Sequence, residues 1–266
     1  MTTLISYLTR RNLLSAGWII VSAGWLAITL GVTAWVAAYE TTGILDDLSA
    51  IIPLATMLIV AVAAPAVAAA SWSQYSEPLL LDLIHRGVRA GTISASSLLS
   101  SWFSALLLLA VSLPAAVWAA TAGSRHWIPL AIAYGAAVVG TAFMTAIGQF
   151  IGSVSRSVTS AVAAAVAVSV LFILAGTLIT LLPAGDYQRP ALIAITAANP
   201  ALAAAGLLTS GARPVLDLVH GTIGLTRIDA LIALGAQVVV VLILFVLIAG
   251  RAHAPQRRIP ARRRLG

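Results

Sequence analysis

SWSQYSEPLLLDLIHRGVRAGTISASSLLSS, residues 71–101, is a polar segment that separates two long apolar runs. Ser76 stands at an N-cap position, Glu77 and Pro78 follow in the first turn, and Gly87 occupies the place of a left-handed glycine after a helix. These capping residues predict a short helix over residues 77–86.

The predicted helix is amphipathic. Its apolar face carries the aliphatic side chains of Leu80, Leu81 and Ile84. Its other face carries charged or titratable side chains, namely those of Asp82, His85, Arg86 and Arg89. An isolated helix shorter than ~12 to 15 residues is marginal in water, so we expect this one to dock on the rest of the protein, on lipid headgroups or on a soluble partner.

The composition is that of a membrane protein. Hydrophobic residues make up 61% of the 266 residues and charged residues only 9%, against roughly 25% charged in soluble domains. The chain has no cysteine, which excludes disulfides and thiolate chemistry. It also has no lysine, which excludes the phosphate-binding loop of nucleotide hydrolases.

No catalytic or metal-binding pattern is present in the sequence. The four histidines stand in separate loops, and none has a second histidine three or four residues away, so no metal site is expected. The sequence has no G-x-S-x-G motif and no carboxylate pair within an apolar run. We therefore expect no enzymatic activity in this chain.

Six apolar runs are long enough to cross ~30 Å of hydrocarbon. They cover residues 17–38, 51–72, 97–120, 128–151, 160–182 and 230–250. Residues 183–229 contain a further apolar stretch, which Asn199 and Pro200 interrupt at its centre. We expect that region to form an external re-entrant hairpin of two short helices between the fifth and sixth spans.

The arginines predict the orientation. With six spans and both termini cytoplasmic, eleven of the fifteen arginines lie inside, whereas most acidic residues lie outside. A seventh span would move the arginine-rich tail outside. Residues 1–250 are thus predicted to be one transmembrane domain that begins with an interfacial helix over residues 1–15. Residues 251–266 are predicted to form a basic cytoplasmic tail that binds anionic lipid rather than nucleic acid.

Small, aromatic and amide residues predict contacts within the spans. Gly17, Gly24 and Gly31, and separately Gly148 and Gly152, are spaced for close helix packing. Tryptophans near span ends are expected to anchor the chain at the interface, at positions Trp18, Trp35, Trp72, Trp102, Trp118 and Trp127. Gln149 and Gln237 are the most polar residues of the spans, which contain no ionisable group for ion-driven transport. This absence does not exclude sodium sites that are built from carbonyl groups alone.

Four stretches resemble the ABC-2 type permeases, the transmembrane subunits of ABC transporters. They are SEPLLLDLI at 76–84, LLLLAVSLP at 106–114, SRSVTSAVAAA at 155–165 and ANPALAA at 198–204. In topology the resemblance covers the whole chain. It implies that residues 77–86 are the coupling helix that enters a groove on a separate ATP-binding subunit. The implied docking residues are Glu77, Leu80, Leu81, Asp82, Ile84, His85 and Arg86.

The resemblance also implies partners and a task. Two permeases, of the same or related chains, would form an export pathway for a drug, a lipid or a hydrophobic peptide in the bacterial plasma membrane. ATP and Mg²⁺ would be bound by the partner ATPase, and this chain would hold no cofactor. Two alternatives stay open: an ATP-independent scaffold or accessory subunit, and a secondary transporter.

Overall fold

The computed structural model describes residues 16–39, 42–75, 87–123, 127–155, 157–178, 188–208 and 225–252. These residues form eight helices: α1 Ala16–Tyr39, α2 Thr42–Tyr75, α3 Ala90–Ala122, α4 Trp127–Val154, α5 Val158–Leu178, α6 Gln188–Ala198, α7 Pro200–Leu207 and α8 Arg227–Ala252. Among them α1 to α5 and α8 are each long and apolar enough to cross a membrane. The bent pair of α6 and α7 would make a seventh crossing if it were one span. The chain is therefore an all-helical protein of the multi-pass, membrane-embedded type.

Helix α2 lies at the centre of the bundle, where it packs against α3, α4 and α5. The contact with α4 is formed by small residues. A Cβ atom on Gly152 would lie 2.6 Å from the carbonyl oxygen of Ala69, and one on Gly148 would overlap the backbone of Pro65. The close packing predicted for these two glycines is confirmed, since only residues without a side chain let the two backbones approach so closely.

The two long helices before and after residues 76–86 extend beyond the apolar runs of the sequence. Helix α2 starts at Thr42, ahead of the run that begins at residue 51, and α3 starts at Ala90, ahead of the run that begins at residue 97. Leu45 and Leu48 are buried against α1 and α3, and this tertiary contact stabilises a helical extension that a charge-based boundary misses.

Polar side chains connect the helices inside the bundle. The indole Nε1 of Trp25 donates to Thr56 Oγ1 at 3.0 Å and joins α1 to α2. The hydroxyl groups of Ser112 and Tyr134 lie 2.8 Å apart and join α3 to α4. Lipid solvates an apolar helix surface as well as another helix does. Such hydrogen bonds therefore help to specify which spans pack together.

Two packing predictions need correction. Trp18 and Trp72 are buried inside the bundle, so their rings contact protein instead of serving as exposed interface anchors. A Cβ added to Gly24 or Gly31 would have no atom within 4 Å, so no helix of the described residues packs on the face of α1 that carries these glycines. The tryptophans at the other end of the spans, Trp35, Trp118 and Trp127, are exposed, as anchors must be.

Candidate functional site

The most unusual local structure is the break between α6 and α7, at which the chain bends by 114°. Asn199 stands at the bend, and its Oδ1 accepts hydrogen bonds from the backbone N–H groups of Ala201 at 3.1 Å and Leu202 at 3.2 Å. Pro200 follows at the first helical position. A backbone N–H at that position has no partner within the helix, so proline loses no hydrogen bond there. The break predicted at Asn199 and Pro200 is confirmed.

Both ends of this bent pair lie beside the first turns of α8. At the α6 end, Arg189 Nε donates to Asp229 Oδ1 at 3.1 Å. At the α7 end, a Cβ on Gly206 would lie 2.9 Å from the Cβ of Ala230. The chain therefore approaches and leaves the bend at the same end of the bundle.

The tip of the bend reaches the middle of the bundle. A Cβ on Gly140, near the midpoint of the 28-residue helix α4, would lie 2.5 Å from the Cβ of Pro200. We call α6, Asn199 and α7 together the hairpin. Its tip thus lies about halfway along α4, in contact with residues that the sequence separates widely.

Two side-chain amides bind backbone groups near the tip. Asn199 Nδ2 donates to the carbonyl oxygen of Ile173 in α5 at 3.3 Å. Gln237 Nε2 donates to the carbonyl oxygen of Ala197 at 3.0 Å. The Ala197 carbonyl belongs to the last turn of α6, where carbonyls have no partner within the helix. In an apolar interior such bonds matter, because an unsatisfied carbonyl costs several kcal/mol.

A capping box begins α8 at the other end of the hairpin. The backbone N–H of Thr226 donates to Asp229 Oδ2 at 3.2 Å, and the backbone N–H of Asp229 donates to Thr226 Oγ1 at 3.2 Å. The Thr226 hydroxyl also donates to Asp229 Oδ2 at 2.6 Å. The Asp229 carboxylate is buried, although its partner Arg189 is mostly exposed. The residues T-R-I-D at 226–229 carry this capping signal, which the span boundaries predicted from hydropathy do not include.

A groove of about 360 Å³ lies between α5 and α8, and residues of α4 and α6 complete its lining. The rings of Phe143 and Phe172 stack in its wall, with centroids 6.2 Å apart. Among the described residues that line it, Gln237 has the one polar side chain. The groove is lined by Phe143, Ile147, Phe150, Phe172, Ala194, Ala197, Ala198, Ala236, Gln237, Val240 and Leu244.

Gln237 is fully buried, with 0% of its surface exposed. Its Nε2 binds the Ala197 carbonyl, but its Oε1 accepts no hydrogen bond from the described residues. Buried polar atoms almost always have a partner, so an unpaired acceptor at this depth is unusual. The sequence marks Gln237 as unusually polar for a span, yet it contains no sign of the groove.

Near the opposite end of α8, Ile248 packs with Trp72 of α2 and Ile93 of α3. There the guanidinium of Arg251 lies 5.3 Å from the centroid of the Phe150 ring. The last turn of α2 and the first turn of α3 therefore lie at the end of the bundle opposite to the hairpin's termini.

The predicted docking residues all lie outside the described part of the chain. These are Glu77, Leu80, Leu81, Asp82, Ile84, His85 and Arg86, and residues 1–15 and 253–266 are likewise outside it. Gly87 is described and has a φ of +80°, which confirms the left-handed conformation predicted for it. Within the described ranges no group of three or more metal-ligating side chains is found.

Comparison with known proteins finds no family model that matches the chain and no significant match among curated proteins.

Proposed function

We propose that this chain is the membrane-spanning permease subunit of an ATP-driven ABC exporter of the ABC-2 type. A separate ATPase docks on residues 77–86, and its ATP binding shifts the spans to move a substrate outward. The observation that carries the proposal is the arrangement of two structures at opposite ends of α8. The end of α2 and the start of α3 lie at one end, and the termini of the hairpin lie at the other.

We propose the orientation from the whole sequence, in which eleven of the fifteen arginines fall on the side assigned to the cytoplasm. Arg251 lies at the end where α2 ends and α3 begins, and Asp229 lies at the hairpin end together with Arg189 and Arg227. Basic residues concentrate on the cytoplasmic side of membrane proteins. In the proposed topology both termini and residues 76–86 are cytoplasmic, where an ATPase and its Mg²⁺-bound nucleotide are available.

The hairpin is, in this proposal, a re-entrant structure that enters from the outer side. A span broken at Asn199 would have its two ends at opposite ends of α8, whereas both ends of the hairpin lie by Asp229 and Ala230. The amides of Asn199 and Gln237 bind backbone carbonyls at the tip, which makes irregular backbone tolerable at that depth.

The docking helix is proposed to use Leu80, Leu81 and Ile84 to fill a groove on the ATPase. Burial of each such side chain contributes about 1.5 to 3 kcal/mol before the cost of ordering is subtracted. Glu77, Asp82, His85 and Arg86 then surround the apolar contact and fix its register.

The test is to purify the affinity-tagged chain from its native membranes and to measure the ATP hydrolysis that co-purifies. The variant with Leu81→Asp and Ile84→Asp places two charges on the proposed docking face. We expect it to lose at least about tenfold of the ATPase activity, since two buried apolar contacts are replaced by charges.

A matched control carries Leu79→Asp and Leu83→Asp, which put the same two charges on the other side of the predicted helix. We expect this control to retain the activity. Equal ATPase activity in the docking variant, or none with the unchanged chain, would contradict the proposal.

A secondary transporter is the second candidate, and the hairpin is the observation that favours it. Helices interrupted near the membrane centre form ion and substrate sites in many such transporters. Here the interruption lies beside a buried amide oxygen that has no donor among the described residues, Gln237 Oε1. Exchange of radioactive sodium across proteoliposomes that contain only this chain, without ATP, would favour the secondary transporter. Absence of both ATPase and exchange would leave the scaffold role.

A further inference from the structure

We infer that Arg251 and the groove between α5 and α8 together bind one anionic phospholipid, with its phosphate on the Arg251 guanidinium and an acyl chain in the groove. The inference goes beyond the proposed function, because it concerns a lipid on one copy of the chain and requires neither the ATPase nor residues 77–86. It also goes beyond the general attraction to anionic lipid that the sequence predicts for residues 251–266, since it assigns one lipid to one site.

Arg251 marks the end of the groove that lies farther from the hairpin. Its guanidinium lies 5.3 Å from the centroid of the Phe150 ring, and Phe150 is itself part of the groove lining. Side chains of a helix lean towards its N-terminus, so Arg251 reaches back along α8 towards Leu244, a groove residue of the same helix. The apolar groove therefore ends beside a cation.

The guanidinium of Arg251 is available to an anion. The residue is exposed. The ion pair found among the described residues joins Arg189 to Asp229, at the opposite end of α8. Stacking on an aromatic ring leaves the N–H groups at the edge of a guanidinium free, and these bind phosphate oxygens in pairs. A phosphate is thus the group that matches this end of the groove.

The site has the depth of one leaflet. Gln237 lines the groove near the tip of the hairpin, and Arg251 lies about 21 Å further along α8 at 1.5 Å per residue. One leaflet with its headgroups is roughly 20 to 22 Å thick, half of a whole bilayer. The tip lies about halfway along α4. A single phospholipid therefore matches both features, with its chain at the depth of the groove and its phosphate at the level of Arg251.

The groove is open to acyl chains of the bilayer. Helices α5 and α8 flank it without packing closely on each other. Their outer faces are apolar and exposed, at Leu171, Leu174, Val239 and Leu242. The groove volume is about 360 Å³, whereas one helical turn with its side chains fills roughly 400 to 600 Å³, so a helix of a second copy does not fit. An acyl chain enters between the two faces without crossing water.

The test uses the full-length chain in phosphatidylcholine nanodiscs. A trace of phosphatidylglycerol or phosphatidylcholine is added as a probe, with the same acyl chains and a diazirine near the end of one chain. After illumination, peptide mass spectrometry locates the label. Labelling of the groove is expressed relative to the exposed face of α1, which carries Ile28 and Val32 and reports contact with bulk lipid.

We expect the phosphatidylglycerol probe to label groove peptides of α4, α5 and α8 about tenfold more than the phosphatidylcholine probe, because it lacks the choline cation beside its phosphate. Unlabelled phosphatidylglycerol should remove that excess. Arg251→Gln should abolish the excess and leave the phosphatidylcholine labelling unchanged. Arg257→Gln is the matched control, since it removes the same charge from the basic tail, and it should keep the excess.

A second pair of variants tests the position of the chain. Ala236 lines the groove, so Ala236→Leu should reduce groove labelling by both probes, because the added side chain occupies the volume of the acyl chain. Val239→Leu, on the exposed face of the same helix, should leave the labelling unchanged.

Three results would overturn the inference. Equal labelling by the two probes on the unchanged chain would mean that the groove takes any acyl chain. An excess that survives Arg251→Gln, or that Arg257→Gln reduces equally, would mean that the tail attracts the lipid without a site. Groove labelling no higher than that of α1, or unaffected by Ala236→Leu, would mean that no lipid chain occupies the groove. The comparison of the two probes on the unchanged chain remains decisive if a variant does not fold.

Discussion

Two faces of the same helix, α4, illustrate opposite ways of packing an apolar bundle. One face presents Gly148 and Gly152 to α2, and the two backbones come into direct contact. The other face presents Phe143, Ile147 and Phe150 to the groove between α5 and α8. Because lipid is as apolar as the side chains, helices join closely only where small residues permit contact. Large residues on the second face hold the neighbouring helices apart and leave a cavity.

The largest expected effect is on the face of α4 that carries Gly148 and Gly152, which we call the glycine face. Gly148→Ala adds a Cβ that overlaps the backbone of Pro65, which no rotamer change can relieve. We expect the free energy of unfolding, measured by titration with SDS in mixed micelles, to fall by about 3 kcal/mol.

Gly135→Ala is the control on the same helix, since a Cβ at Gly135 has no atom within 4 Å. Alanine favours helix over glycine by up to ~1 kcal/mol, so this control should be neutral or stabilising. If both variants lost the same stability, the contrast between the two faces of α4 would rest on helix propensity and not on contact with α2.

Asp229→Ala tests what holds the hairpin over the groove. The change removes the capping box of α8 and the ion pair to Arg189 together, and it leaves the Thr226 N–H without its acceptor. We expect a loss of about 2 kcal/mol in unfolding free energy, which combines a lost cap with a lost charged hydrogen bond. The control is Arg227→Ala, an exposed residue of the same turn, and it should change stability little. Comparable losses in both would mean that Asp229 does not anchor the hairpin.

Asn199→Ala tests the tip of the hairpin. It removes the cap of α7 and the donor to the Ile173 carbonyl, and we expect it to cost about 1 kcal/mol. Asn199→Ser keeps a capping oxygen but is too short to reach Ile173, so about half of that loss should remain. The same SDS titration measures both. A serine variant as unstable as the alanine variant would show that the cap contributes nothing.

The sequence predicted the glycine face but not the groove, and the reason is distance along the chain. Gly148 and Gly152 form a local pattern, and the break at Asn199 and Pro200 needs only two adjacent residues. The apolar run at residues 51–72 does not show that α2 begins earlier, because the first turns of that helix depend on contacts of Leu45 and Leu48 with α1 and α3.

The groove is harder still to predict, because four helices contribute to it. Gln237 was recognisable as polar, yet its partner, the Ala197 carbonyl, lies 40 residues away along the chain. A backbone carbonyl carries no signature in the sequence. Every residue of a helix has a backbone carbonyl, and only those in the last turn lack a partner within the helix. The structure is therefore needed to show where α6 ends and that the Ala197 carbonyl is one of these.

The smallest expected change in stability is at the groove itself. Ala236→Leu adds a side chain into space that already exists, so the unfolding free energy should change by only about 0.5 kcal/mol. Val239→Leu, on the exposed face of the same helix, is the control and should also keep the stability. The test compares the large side chain added at the groove by Ala236→Leu with the single methyl group added by Gly148→Ala. A large loss of stability from Ala236→Leu would mean that α5 and α8 are as tightly joined as α2 and α4.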